Sequence, residues 1–199
     1  MSLVNINLKS ALIRAAIIIG ILLALGAPAK ADFNAKLNKG KIFSISVPKS
    51  GIWPGRSMAV IDAPADQVYA ILADFASYDQ FVPRIAKSRL IKGNTYEIEA
   101  TFPWPVKKTR ATLSVRKGKR GTTRIVQWKM IAGTLKRYEG TAWIQPWGRN
   151  QTLLTYQMLA VPKGIAPAPM MATGLRKATA QVVQAIRKRI ATRTAVRRF

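Results

Sequence analysis

Glu97 and Glu99 stand two residues apart in a run that alternates apolar and polar side chains. On one face of a strand, residues i and i+2 lie about 7 Å apart, a spacing that suits two carboxylates flanking a scissile bond. The other face of that run holds Tyr96, Ile98, Ala100 and Phe102. The apolar set is the one expected to turn inward, which leaves the two acids facing solvent. Glu139 lies next to Tyr138, and a Glu139–Arg110 pair would form a polar anchor for a ligand head group. Asp62 precedes a helix start and reads as structural. The chain has no His and no Cys, and only 8 Asp and Glu in 199 residues. Their absence removes His- and Cys-based triads, most zinc sites and the usual general base at neutral pH. So few carboxylates leave little for an oxygen-ligand metal cage. No catalytic residue, metal or cofactor is expected, and the chain reads as a binding protein rather than an enzyme.

The charge is one-sided. Lys and Arg total 33 against those 8 acids, a net +25 with a pI near 11.4. Such a surface calls for an anionic partner. Glu139 is the last acid, and ten basic residues follow it. Arg187, Lys188, Arg193, Arg197 and Arg198 are the expected contacts with an anionic membrane surface. The competing reading is a solvated helix face whose cations suit the C-terminal dipole.

The N-terminus has the pattern of a secretory signal. Lys9 and Arg14 precede the apolar run Ala15 to Ala27, Pro28 follows, and Ala29-Lys30-Ala31 is an A-x-A site. Cleavage after Ala31 would make the protein periplasmic or secreted. An uncleaved helix would anchor it to the inner membrane. Export argues against nucleic acid as the partner; no protein partner is indicated.

Three further regions follow: a leader over 32–55 with one short strand at Ile42–Val47, a domain over 56–192, and a basic tail over 193–199. Ser57–Asp62 alternates as a strand. A helix starts at Ala63-Pro64-Ala65-Asp66, with Val68, Ile71, Leu72 and Phe75 at helical spacing. A second short helix carries Tyr78, Phe81 and Val82 and stops at Pro83. Strands are predicted at Ile85–Ile91, Thr95–Phe102, Thr109–Arg116, Thr123–Ile131, Leu135–Ile144 and Thr152–Ala160. The turns between them carry Gly or Asn, which is hairpin chemistry. From Met170 the period becomes helical: Met171, Leu175, Ala178, Val182, Ile186 and Ile190 draw one apolar stripe. The fold class is therefore α+β. A curved seven-stranded antiparallel sheet wraps a long C-terminal helix, with two short helices after the first strand.

The stretch from Ser57 to Pro83 holds an Ile61-Asp62-Ala63-Pro64 start followed by Asp74-Phe75-Ala76-Ser77-Tyr78-Asp79-Gln80-Phe81-Val82-Pro83. It resembles the opening of the START-like, or SRPBCC, superfamily, which includes polyketide cyclases/dehydrases and coenzyme Q-binding START-type proteins. Phe102-Pro103-Trp104-Pro105-Val106 with Arg110 resembles a segment of START lipid-transfer domains, although Lys107-Lys108-Thr109 intervenes here. The resemblance runs from Arg56 to Thr192. It implies a helix-grip fold with an apolar cavity between sheet and C-terminal helix. It also implies a hydrophobic, lipid-like ligand such as a lipid, quinone or sterol-like molecule. The alternative is a cyclase, dehydratase or hydrolase working on an apolar substrate in the same cavity.

Strand alternation then assigns the lining. Tyr96, Ile98 and Phe102 are expected inside, with Val126, Trp128 and Met130, and with Leu154, Tyr156 and Met158. Phe81, Tyr138, Glu139 and Arg110 join them. Trp104 is expected near the cavity mouth, and Met170, Met171 and Leu175 over it.

Overall fold

A computed structural model of the chain describes residues 27–48, 53–101, 108–164 and 167–196. The chain divides into two compact units at Lys39/Gly40. The first contributes one described helix, α1 (Ala27–Asn38), closed by an Asp32–Lys36 ion pair one turn apart. The first part of the leader expected over 32–55 is helical, within α1. Ala27, Ala29, Ala31 and Ala35 favour it, and Pro28 sits in its first turn, where a missing N–H costs nothing. The cleavage point expected after Ala31 lies within α1. No described helix is long and apolar enough to cross a membrane.

The second unit is an antiparallel sheet. Its strands are β1 (Phe43–Ser46), β2 (Gly55–Ile61), β3 (Ile85–Lys92), β4 (Thr95–Thr101), β5 (Lys108–Arg120), β6 (Thr123–Gly133), β7 (Arg137–Trp147) and β8 (Gln151–Val161). They lie in the order β1-β2-β8-β7-β6-β5-β4-β3. The seven expected strands are all present. The leader strand adds an eighth by pairing Phe43–Ser46 with Met58–Gly55. Between β2 and β3 come α2 (Ala65–Ala73) and a 3-10 turn (Phe75–Gln80). The long helix α3 (Ala168–Val196) closes the unit and runs four residues into the expected tail. It packs chiefly on β2 and β1, at one end of the sheet.

Alternation explains the core. β4 buries Tyr96, Ile98 and Ala100 and leaves Thr95, Glu97 and Glu99 on the other face. Leu113 and Val115 on β5, Val126 and Trp128 on β6, and Leu154, Tyr156 and Met158 on β8 are buried in the same cluster. From α2, Val68, Ile71 and Leu72 join it, as do Leu175, Val182, Ile186 and Ile190 of α3. The edge strand β3 is exposed over most of its length and carries Lys87, Arg89 and Lys92, charges that discourage further strand pairing. At the other end of the sheet, two close approaches seat α3. The Ser57 and Thr179 hydroxyls meet at 2.8 Å. Gly55 lies so near the Leu175 backbone that a Cβ there would meet its carbonyl at 2.4 Å.

Candidate functional site

A cavity opens between α3, the 3-10 turn and strands β4, β5, β7 and β8. Its walls include Tyr78, Val82, Ile85, Ile98, Ala111, Leu135, Tyr138, Tyr156, Met158, Ala178 and Val182. The hydroxyl-bearing side chains interrupt a mainly apolar surface. The cavity volume is ≈ 50 Å³. One water needs about 10–15 Å³ on that scale, so the interior takes a few waters or a compact organic group. It does not enclose a whole long acyl chain in this conformation.

Pro83, Arg84, Thr109 and Gln181 also line the cavity, and Pro83, Arg84 and Gln181 are exposed. Arg84 has φ of 70°, in the left-handed region that non-glycine residues rarely occupy. Its carbonyl accepts the Thr101 N–H at 2.9 Å, which ties this strained residue to the end of β4. The exposed Lys108 and Lys136 adjoin the lining residues Thr109 and Leu135.

Behind the cavity is an aromatic cluster. Phe75 stacks on Tyr78 at 4.5 Å between ring centres, and it tilts against Tyr96 at 5.5 Å and Trp128 at 5.7 Å. Trp128 lies 5.1 Å from Tyr156. Burial pushes the phenol of Tyr138 up to about 12 and raises those of Tyr78 and Tyr156 well above the ordinary value. All three stay protonated at neutral pH. The Trp128 N–H lies close enough to the Tyr138 oxygen to oppose that rise slightly. It nevertheless meets no acceptor at proper hydrogen-bonding distance and angle, and it is a buried donor without a partner.

Of the expected ligand contacts, Ile98, Tyr138, Tyr156 and Met158 line the cavity. Tyr96 and Trp128 form the layer behind it. Phe81 is half-buried against Tyr78, with the Arg189 guanidinium 5.6 Å from its ring centre. Met130 is half-buried against the core. Phe102 and Trp104 lie outside the described residues, as do Arg197 and Arg198.

Several placements differ from expectation. Arg110 is exposed and pairs with Glu99 at 2.9 Å, while Glu139 pairs with Arg137 at 2.7 Å. The Glu139–Arg110 anchor therefore does not form, because the β4–β5 register sets Glu99 directly opposite Arg110. Met170, Met171 and Leu175 are not over the cavity. Ala178, Gln181 and Val182 are, about one turn or more further along α3. Leu175 is held against Gly55 instead. Arg187 is half-buried, and its guanidinium donates to the carbonyls of Val60 at 2.8 Å and Gly40 at 2.7 Å. Lys188 and Arg193 are exposed.

All eight carboxylates have partners. Asp32, Asp66, Glu97, Glu99 and Glu139 are in ion pairs. Asp62 accepts from Gln151, Asp74 from Ser77, and Asp79 from the Ser88 N–H. The Arg89 hydrogen bond holds the Glu97 carboxyl below the usual range. Among the described residues no group of three or more acids is placed to hold a metal ion.

The family profile described as polyketide cyclase / dehydrase and lipid transport matches residues 61–187. The chain belongs to that family. Solved structures agree on the START-like helix-grip fold. A STAR-related lipid transfer protein from Xanthomonas axonopodis superposes with a TM-score of 0.64 at 22% identity, over 76% of this chain and 93% of that one. A START superfamily protein from Mycobacterium smegmatis gives 0.63 at 16%, over 70% and 97%. An aromatase/cyclase from Streptomyces gives 0.57 at 12%, over 77% and 96%. No curated protein matches the chain. The family's fold accounts for the cavity's position between sheet and helix. Its range, from lipid transfer to cyclisation, leaves the ligand to be argued from this chain's own residues.

Proposed function

We propose that this member of the family is an exported carrier that binds one hydrophobic, lipid-like molecule with part of it inside the cavity. The observation that carries the reading is the cavity itself, apolar on most of its wall and partly open. Burial of apolar ligand surface, at about 25 cal/mol per Å², is the driving force. The interior is too small for a long chain, so the carrier takes a compact group or one end of a longer molecule, with the remainder at the mouth. The exposed cations Arg84, Lys108, Lys136, Lys188 and Arg193 would bring the protein to an anionic bilayer. Every carboxylate is already engaged, so this excess of cations finds no counterpart within the protein. Each Lys or Arg near such a surface contributes about 1 kcal/mol. Export rests on the pattern of residues 1–31, with cleavage after Ala31.

The test is to purify the protein from the cell envelope under native conditions, extract it with organic solvent and identify what is released by mass spectrometry. An apolar molecule in stoichiometric amount is expected. Protein that carries none, and that takes up no apolar fluorophore, overturns the reading. Co-sedimentation with phosphatidylglycerol vesicles, lost as salt is raised, checks the membrane step separately.

A further inference from the structure

Strand β5 outruns the strand beside it. Its pairing with β4 ends at Ser114, opposite Thr95, and the Val115 N–H still reaches the Asn94 carbonyl at 2.9 Å. Arg116-Lys117-Gly118-Lys119-Arg120 continue past that point, paired only with Thr123–Gln127 of β6. All five are exposed, and all but the glycine are cations. Alternation puts Arg116 and Arg120 on one face of the strand and Lys117 and Lys119 on the other. Between the two arginines Gly118 leaves open space, since a Cβ there would meet nothing within 4 Å. Lys119 also stands directly opposite Arg124 in the ladder, and like charges so placed destabilise a sheet. Arg124 is answered by Asp66 at 2.5 Å. Among the described residues, Arg116, Lys117, Lys119 and Arg120 are in no ion pair, and all the carboxylates are engaged elsewhere.

We propose that this free edge of β5 binds a flexible, linear polyanion of the phosphate type, a soluble chain rather than a bilayer. The cations are spread over about 14 Å of strand, so a chain with closely spaced charges meets several of them at once. The guanidinium forks match phosphate oxygens. A flat bilayer laid against either face meets two of the four cations, whereas a chain that crosses the open edge reaches both faces. An added β-strand is discouraged by the same row of charges. The site is separate from the cavity, which Thr109 and Ala111 line from the other end of β5. Arg120 is about 30 Å along the strand from Ala111, several Debye lengths at physiological salt. The proposal therefore goes beyond the carrier reading and does not depend on it.

The test titrates the full chain into end-labelled linear inorganic polyphosphate and reads fluorescence anisotropy at several salt concentrations. Two double variants each remove two charges from one face of the edge: Arg116→Gln with Arg120→Gln, and Lys117→Gln with Lys119→Gln. Lys188→Gln with Arg193→Gln removes the same charge from α3 as a control. Each edge pair is expected to weaken polyphosphate binding about tenfold and to lower the slope of log Kd against log salt by about two, one for each lost contact. The control pair should stay within about twofold, and uptake of an apolar fluorophore should be unchanged in all three. Equal losses from the edge pairs and the control pair would mean that only the overall charge matters, and would overturn the proposal. So would a loss confined to one face. Binding to phosphatidylglycerol vesicles that falls as steeply in the edge pairs as polyphosphate binding would make this edge a bilayer contact and overturn it as well. In each case intact fluorophore uptake leaves the carrier reading standing.

Discussion

The Trp128 indole lies against the backbone of Gly140, its partner across the β6–β7 ladder. A Cβ on Gly140 would meet a Trp128 ring carbon at 2.0 Å and the Gln157 carbonyl oxygen at 2.6 Å. The missing side chain is therefore what admits the ring to the wall behind the cavity. Gly140→Ala should destabilise the protein by about 2–3 kcal/mol, at the upper end of overpacking costs, because backbone stands on one side and a buried ring on the other. Urea denaturation measures this. An unchanged midpoint would mean that the ring is not seated there.

Arg187 tests the division between structural and surface cations. Its guanidinium serves two backbone carbonyls, and burial lowers its pKa. Arg187→Ala should cost about 1.5–3 kcal/mol, the range for hydrogen bonds from a charged group. Arg187→Lys should recover little of it, since one ammonium does not reproduce the fork. Lys188→Ala and Arg193→Ala should leave stability within about 0.5 kcal/mol and weaken vesicle binding instead.

The buried phenols predict a loss of stability in alkali. The folded pKa of Tyr138 is about 12 against an ordinary 10.0. Its contribution is intact below pH 10, where both states are protonated, and falls as pH rises from there toward 12, because the unfolded chain then releases the proton first. At about 1.4 kcal/mol per unit, Tyr138 alone accounts for a loss on the order of 2–3 kcal/mol across that window. Tyr78 and Tyr156 act in the same direction. Denaturation midpoints taken from about pH 9 upward should fall, and fall less in Tyr138→Phe.

Filling the cavity separates binding from folding. Ala178 projects from α3 into the lining and is half-buried. Ala178→Leu adds apolar volume where there is room, with a residue that favours helix. The melting temperature should hold or rise while uptake of an apolar fluorophore drops at least tenfold. Uptake at the original level would place the ligand elsewhere.

The inside faces of β4, β6 and β8 were legible from alternation, since a period of two leaves Tyr96, Ile98, Trp128, Tyr156 and Met158 only one side to share. The stripe on α3 was legible for the same kind of reason: Leu175, Val182, Ile186 and Ile190 step by seven and four, which keeps them on one helix face, and all are buried. The region of Lys117–Gly121 was read as a turn, yet β5 runs on to Arg120 and the chain reverses at Gly121, where φ is +57°. Lys117, Lys119 and Arg120 are exposed, so no burial pattern marks where that strand stops.

Local periodicity is carried by neighbours in the chain, so the sequence by itself determined the element order, the inward faces, the shortage of chemistry-bearing side chains and the basic surface. Pairings between distant segments depend on register and on how far α3 slides along the sheet. Those are settled by cross-strand hydrogen bonds and by close approaches such as Gly55 to Leu175. Only the tertiary structure therefore decided that Arg110 meets Glu99 rather than Glu139, that Ala178 rather than Met171 faces the cavity, and that Trp128 stands behind Tyr138 with its N–H unanswered.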